Sequence, residues 1–514
     1  MTGESDLSSP PFTRARPGTV EDVLAAPATP KVGAFFDLDG TLIAGYTAGV
    51  FFKHRLRRRE VGVGELSRTF GLLLRTQAGR AEFGDILRLT ASGWTGRTDP
   101  EMRELGQILF DKHLRDRMYP EMRRLVRAHQ RQGHTVVLTS SATTYQTGPV
   151  AAALGIDHVI CSAVTVVDGL LSGDIGTDNF GPRKSIAVQQ FASDHSVDLS
   201  ASYAYADGDE DAALLHLVGN PRAVNPSGHL AKVAARRGWP VLHLSSRGGE
   251  RSLPHVARNI AGTSSVIPAA AVGVAVGLVN RDRRAGVDVA FPMWVDIMLG
   301  LNKVKVEVVG ASNLWAARPS VFIHNHLTNF DSFVVAKLVR ERTSGIGKKE
   351  ITKSPLGALM AWALDAAMID RSDRAGAIEA MRPVTERLRD GISVVVAPEG
   401  TRSETGDLLP FKKGAFRMAM TAGVPVTPIV LRNTDILGSR NAATMRPGTV
   451  QVAVLPPVPV TDWTVADLEE RIAAVHQQFV QVLDRWPTTD EQLRRIVPGV
   501  PTTRSPGRED VTRG

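Results

Sequence analysis

Residues 32–40 read VGAFFDLDG, and the architecture of the first half of the chain follows from them. A short, uniformly apolar run ending in two carboxylates, Asp37 and Asp39, and a turn at Gly40 reads as a buried strand that delivers acid groups to its C-terminal end. Ligands of open α/β sheets collect at that end of the strands. Outward from it, HTVVLTSS (134–141), DHVICSAVTVV (157–167), SYAYADGDE (202–210) and WPVLHLSS (239–246) repeat the strand signal, with helical stretches between several of them. Such alternation predicts a mainly parallel, doubly wound Rossmann-like sheet with helices on its faces. From about 43 to 119 the pattern is helical and Arg-rich, which predicts a helical cap inserted after the first strand.

The chain has 514 residues, above the size at which one hydrophobic core splits into two. Hydrophobic residues are 43% and charged residues 22%, and the mean hydropathy is −0.06. These values exclude a mostly disordered chain and argue against a polytopic membrane protein. Lys and Arg outnumber Asp and Glu by 61 to 53, a net charge of +8 that suits phosphate-bearing partners or an anionic membrane surface. No basic run with interleaved aromatics appears, so nucleic acid is not expected. The single cysteine, Cys161, excludes an intrachain disulfide and a cysteine-based zinc site. Residues 1–30 and 496–514 read as flexible tails, and the first of them has no secretory-signal pattern.

After a polar break at 245–252, a second body begins near residue 304 and runs to about 486. VKVEVVG (304–310), SVFIHNH (320–326), SVVVAPEG (393–400), VPVTPIVL (424–431) and TVQVAVLPPV (449–458) read as its strands, and an amphipathic helix over 465–485 closes it. The expected domains are therefore 31–245, a linking region over 246–303, and 304–486.

Four features of the first body converge on phosphoryl chemistry. Asp37 and Asp39 follow one strand, Ser140 follows VVLT, Lys184 opens a helical stretch in GPRKSI, and Asp207 and Asp211 follow YAYA. A carboxylate nucleophile can accept a phosphoryl group, and a second acid can protonate the leaving oxygen and then activate water. Ser and Lys can hold phosphoryl oxygens, and a hard cation suits the carboxylates. In these motifs the sequence resembles the haloacid dehalogenase superfamily of phosphatases, in its phosphoserine-phosphatase-like branch. The resemblance implies Asp37 as nucleophile, Asp39 as acid and base, and Ser140 and Lys184 as phosphate ligands. It further implies Mg²⁺ held by Asp37, the Asp39 carbonyl and Asp207, with Asp211 in support. Phosphoserine phosphatases carry a glutamate after the DxD motif to hold the substrate amine. LIAGYTAG (42–49) contains no acid there, which argues against phosphoserine as the substrate.

In the second body HNHLTNFD (324–331) places His326 five residues before Asp331, just after a strand. This is the logic of a serine-hydrolase triad without its serine: the histidine takes a proton from the substrate's own alcohol and the aspartate holds the imidazole. Glu399-Gly400-Thr401-Arg402 follows another strand and offers an Arg and free N–H groups to a phosphate. FKKGAF (411–416) and VPVTPI (424–429) come next. Together these blocks resemble the glycerolipid acyltransferases, in particular the 1-acylglycerol-3-phosphate acyltransferases. The resemblance implies His326 as general base, Asp331 as its partner, and Glu399, Gly400, Thr401, Arg402 and Arg371, with Lys349 beside them, around the phosphate of lysophosphatidate. The implied donor is acyl-CoA or acyl carrier protein.

VIPAAAVGVAVGLV (266–279) is about 14 residues, short of the ~20 needed to span a bilayer. With VDVAFPMWVDIMLGL (287–301) and the intervening Arg281, Arg283 and Arg284 it reads as a peripheral or monotopic membrane contact, on the cytoplasmic face. The sum is a bifunctional phospholipid enzyme, the phosphatase acting on a phosphomonoester. The alternative is an acyltransferase whose first domain is a regulatory or small-phosphometabolite-binding module.

Overall fold

The computed structural model describes residues 18–62, 64, 91–226, 228–244, 253–348, 352, 358, 361–362, 364–369, 383–403, 406–438, 440 and 442–498. Residues 65–90 of the expected cap, together with Lys349 and Arg371, lie outside these. The chain divides into two units, Met1–Glu250 and Arg251–Gly514, and each is an α/β domain around its own seven-stranded sheet.

In the first unit the strands are β1 Gly33–Phe36, β2 Thr135–Thr143, β3 His158–Val167, β4 Leu170–Thr177, β5 Tyr203–Ala206, β6 Asn220–Val224 and β7 Val241–Leu242. They lie in the order β4-β3-β2-β1-β5-β6-β7, parallel except for the β3–β4 hairpin. The apolar run of β1 has a simple cause. Phe36 belongs to the core on one face, where its ring stacks on Tyr205 at 4.5 Å, and Phe35 to the core on the other. A central strand covered on both sides needs apolar residues at every position. The sheet reverses its winding between β1 and β5, and Asp37 and Asp207 leave those two neighbouring strands at the same end.

Three sequence expectations change here. Residues 18–30 are folded, not a flexible tail: the helix Val20–Leu24 is capped by Thr19 and buries Val23. Gln132 donates to the carbonyls of Leu24 (2.8 Å) and Ala26 (2.7 Å), and Asp22 pairs with Arg222 at 2.8 Å. Composition misleads because these partners come from distant strands and helices. WPVLHLSS yields only the two-residue β7. β6, whose sequence NPRAV hides a strand behind Pro221 and Arg222, is wholly paired.

In the second unit the strands are β8 Val304–Val309, β9 Val321–His324, β10 Thr343–Lys348, β11 Ala367–Ile369, β12 Ser393–Val396, β13 Val426–Arg432 and β14 Gly448–Val454. Their order is β11-β10-β12-β9-β13-β14-β8, with only β13–β14 antiparallel. β10 (TSGIGK) is glycine-rich and β11 (AMI) has three residues, so neither reads as a strand from sequence. The helix Leu468–Asp484 buries Ile472, Val475, Phe479 and Val482, the three-and-four spacing seen in its sequence.

The apolar linking region forms a helical hairpin. Leu253–Ser264 and Val266–Asn280 run together as a 28-residue helix, Leu253–Asn280, whose apolar 18-residue stretch has a mean hydropathy of 1.7. This corrects the 14-residue estimate: the helix is long and apolar enough to cross a membrane, because residues 253–265 extend it. After a turn at Arg281 the helix Arg283–Leu301 returns against it. A Cβ on Gly286 would lie 2.2 Å from the carbonyl oxygen of Gly273, so the close approach requires a bare residue there. Ile267, Leu278 and Val279 face outward and are more than two-thirds exposed, the reverse of a buried soluble helix.

Candidate active sites

Asp37, just past the end of β1, is buried, as are Ser140 within β2, where the pairing with β3 is interrupted, Lys184 on the helix Pro182–Asp194 and Asp211 after β5. They meet in a cleft of about 200 Å³. Lys184 donates to Asp37 at 2.6 Å and to Asp211 at 2.8 Å. Burial works against its charge, and the facing Asp211 and Asp37 outweigh it, so the lysine pKa is raised. Asp39 is turned aside: its carboxylate accepts from the backbone N–H of Thr47 (2.8 Å) and its hydroxyl (3.1 Å). Burial lifts its pKa to about 6, against the pull of those bonds. A carboxyl near 6 can give a proton and take it back near neutrality.

Asp207 accepts from the Thr41 hydroxyl at 3.1 Å and closes over Gly40, where a Cβ would fall 1.9 Å from its carboxylate. With φ of +81°, Gly40 is required twice over. Oxygen atoms of Asp37, Asp207 and Asp211 lie within 4.8 Å of one another. Burial, then the Asp211 charge, raises Asp207 to about 7, and burial raises Asp37 despite Lys184. Three hard oxygen donors with uncompensated negative charge fit a divalent cation such as Mg²⁺. The Asp39 side chain, bound to Thr47, is not part of this cluster, which leaves only its carbonyl for the metal role expected of it. Sequence reasoning missed Thr47 and Asn179. Asn179 donates to the Ser140 carbonyl at 2.9 Å and holds that loop.

In the second unit His326 follows β9, and Asp331 opens the helix Asp331–Val339. His326 Nδ1 lies 2.8 Å from a fully buried Asp331 carboxylate. That carboxylate also accepts from the N–H groups of Leu327 (2.6 Å) and Thr328 (2.9 Å) and the Thr328 hydroxyl (3.2 Å). With the carboxylate oxygen accepting from these donors, an Nδ1–H faces Asp331 and the Nε2 lone pair is left for a substrate. Asn325 exchanges two hydrogen bonds with the backbone of Leu431, pinning the turn to β13.

Glu399, expected at the phosphate, is buried and otherwise engaged. It accepts from the N–H groups of His326 (2.6 Å) and Leu409 (2.9 Å), and burial raises its pKa to about 7. It braces the His326 turn through that main-chain amide, and charge repulsion argues against a carboxylate as a direct phosphate ligand. Gly400 has φ of +73° and lies under the Lys412 side chain, a cation the motif reading left out. Arg402 donates to the Asn329 side chain and the Arg440 carbonyl. The structure thus brings the 399–402 turn onto the His326–Asp331 loop, through Glu399 and through Ser403 N–H to the His326 carbonyl at 3.0 Å.

Residues 34–216 match the haloacid dehalogenase-like hydrolases, and residues 305–432 match the acyltransferases. The 1-acyl-sn-glycerol-3-phosphate acyltransferase of Salmonella typhimurium is 35% identical over 181 residues, which are 34% of this chain and 73% of that protein. The enzyme of that name from Limnanthes alba is 32% identical over 191 residues, 36% of this chain and 66% of the relative, so the match spans just under two thirds of its length. The inhibition of morphological differentiation protein of Streptomyces azureus is 32% identical over 220 residues, 41% of this chain and 78% of that protein. The chain belongs to the 1-acyl-sn-glycerol-3-phosphate acyltransferase family and carries, ahead of that domain, a haloacid dehalogenase-like hydrolase domain.

Proposed function

We propose that the chain is a two-activity phospholipid enzyme. The observation that carries the reading is the His326–Asp331 pair: a 2.8 Å bond to a fully buried carboxylate orients one imidazole nitrogen outward. In the acyl transfer, His326 Nε2 takes the proton of the sn-2 hydroxyl of 1-acylglycerol-3-phosphate as that oxygen attacks the thioester carbonyl of acyl-CoA or acyl carrier protein. Asp331 stabilises the imidazolium, which returns the proton to the leaving thiolate, giving phosphatidate and free thiol. Gly400, Thr401 and Arg402, with Arg371, hold the phosphate, and Glu399 fixes their turn against the base.

In the first unit Asp37 attacks phosphorus and becomes an aspartyl phosphate while Asp39 protonates the leaving oxygen. Asp39 then draws a proton from the water that frees Asp37. Ser140 and Lys184 orient the phosphoryl oxygens. Bound Mg²⁺, held by Asp37, Asp207 and the Asp39 carbonyl, supplies positive charge that lets an anionic nucleophile approach an anionic ester. The exposed apolar hairpin over 253–301 supports docking on the membrane that holds the lysolipid.

The test is product analysis by mass spectrometry after incubating the full chain with lysophosphatidate, acyl-CoA or acyl carrier protein, and Mg²⁺. Phosphatidate is expected from wild type and Asp37→Asn and not from His326→Ala. Diacylglycerol from wild type alone would join both sites in one sequence. No acylated product with either donor removes the reading.

A further inference from the structure

The phosphatase cleft is unusually acidic for a site that receives a dianion. Among the described residues lining it are six carboxylates, Asp37, Asp39, Asp207, Asp209, Glu210 and Asp211, and one cation, Lys184. Five of the six have assigned partners. Lys184 holds Asp37 and Asp211, Thr47 holds Asp39, Thr41 holds Asp207, and the backbone N–H groups of His229 (3.1 Å) and Leu230 (2.6 Å) hold Asp209. Glu210 is exposed and, among the described residues, bonds only its own backbone.

Two further groups converge on the same space. Tyr46, at the start of the helix Thr47–Arg57, lines the cleft with its side chain 63% exposed, and burial together with the nearby charges of Asp207 and Glu210 raises its phenol pKa. Asn179 is 2% exposed; its amide nitrogen is engaged by the carbonyls of Ser140 and Ile160, while its Oδ1 is buried with no partner. A buried acceptor without a donor is costly, and it keeps the loop behind Ser140 polar. An aromatic face beside an unpaired carboxylate is the setting that recognises an organic ammonium. No free cation among the described lining residues awaits a second anionic group.

We infer that the phosphatase acts on small phosphomonoesters whose leaving group carries an ammonium and no carboxylate, with Tyr46 and Glu210 reading the cation. This rests on the phosphatase reading of the cleft. The chemistry balances as simple hydrolysis. The ester P–O bond breaks as Asp37 bonds to phosphorus, Asp39 gives its proton to the amino-alkoxide, and water then breaks the Asp37–phosphorus bond while its proton returns to Asp39. The products are an amino alcohol and inorganic phosphate.

The test measures kcat/KM of the full chain with Mg²⁺ for phosphoethanolamine, its neutral twin ethylene glycol phosphate, phosphoserine, and p-nitrophenyl phosphate as a generic ester. Phosphoethanolamine should exceed both its neutral twin and phosphoserine by about tenfold, the scale of a cation–aromatic contact with a carboxylate beside it. Glu210→Gln should bring the amine-to-hydroxyl ratio close to one, and Tyr46→Leu should lower it mainly through KM. A wild-type ratio of one or less, a preference for phosphoserine, or a ratio unchanged in Glu210→Gln overturns the assignment, while p-nitrophenyl phosphate hydrolysis still supports a phosphatase. If no ester is hydrolysed, the phosphatase reading falls and takes this inference with it.

Discussion

Asp331 shows how much one side chain organises. Its carboxylate accepts from the imidazole, two backbone amides and a hydroxyl, and it is wholly buried. Asp331→Asn presents an amide N–H to these donors and disfavours the tautomer that leaves Nε2 free. Acyl transfer should fall by roughly 10⁴-fold in kcat, with KM for lysophosphatidate little changed, as steady-state kinetics would show. His326 and Asp331 were legible in sequence because both lie within one turn at a strand end, where spacing fixes geometry. Asp37 and Asp39 were legible for the same reason. Thr47, Asn179 and Glu210 were not: Thr47 acts through a fold-back onto Asp39, Asn179 through a loop 39 residues away, and Glu210 through its lack of a partner. The true contact of Glu399, a main-chain amide 73 residues distant, was equally hidden.

At the scale of elements, helix Pro120–Arg131 and the start of β2 bury a hydrogen-bonded chain. His129 contacts Tyr205 at 2.9 Å and His134 at 2.8 Å, and His134 reaches the Pro27 carbonyl at 3.0 Å. Burial lowers both histidine pKa values below the ordinary 6.5. The unfolded chain therefore binds these protons first, so stability is present above pH 6.5 and is lost as pH falls below it. The thermal midpoint of the first unit should drop between pH 7.5 and 5.5, and His129→Gln should reduce that dependence. The apolar hairpin makes a different prediction. Gly286→Leu forces side-chain atoms onto the Gly273 carbonyl and should cost about 1–3 kcal/mol, seen as a lower denaturation midpoint and weaker vesicle flotation. Periodicity announced the strands that are apolar on both faces, but not β4, β6, β10 or β11, which pairing rather than composition makes into strands.

The whole molecule carries a net charge of +8, and its exposed apolar helix has basic residues at the turn that follows. Binding to vesicles containing anionic lipid should weaken as salt rises from 0.05 to 0.5 M in a sedimentation assay, by the ordinary shortening of the screening length from more than about 10 Å towards a few ångströms. The part that survives high salt measures the apolar contribution. On the proposed membrane docking, the hairpin would also bear on the sidedness of the protein. Leu253–Asn280 leads away and Arg283–Leu301 leads back, held together along Gly273 and Gly286. A polypeptide that dips into a bilayer and returns in this way enters and leaves through one leaflet. On that proposed docking, such an anchor would draw a phosphorylated metabolite and an acyl donor from one compartment, without transport between the two.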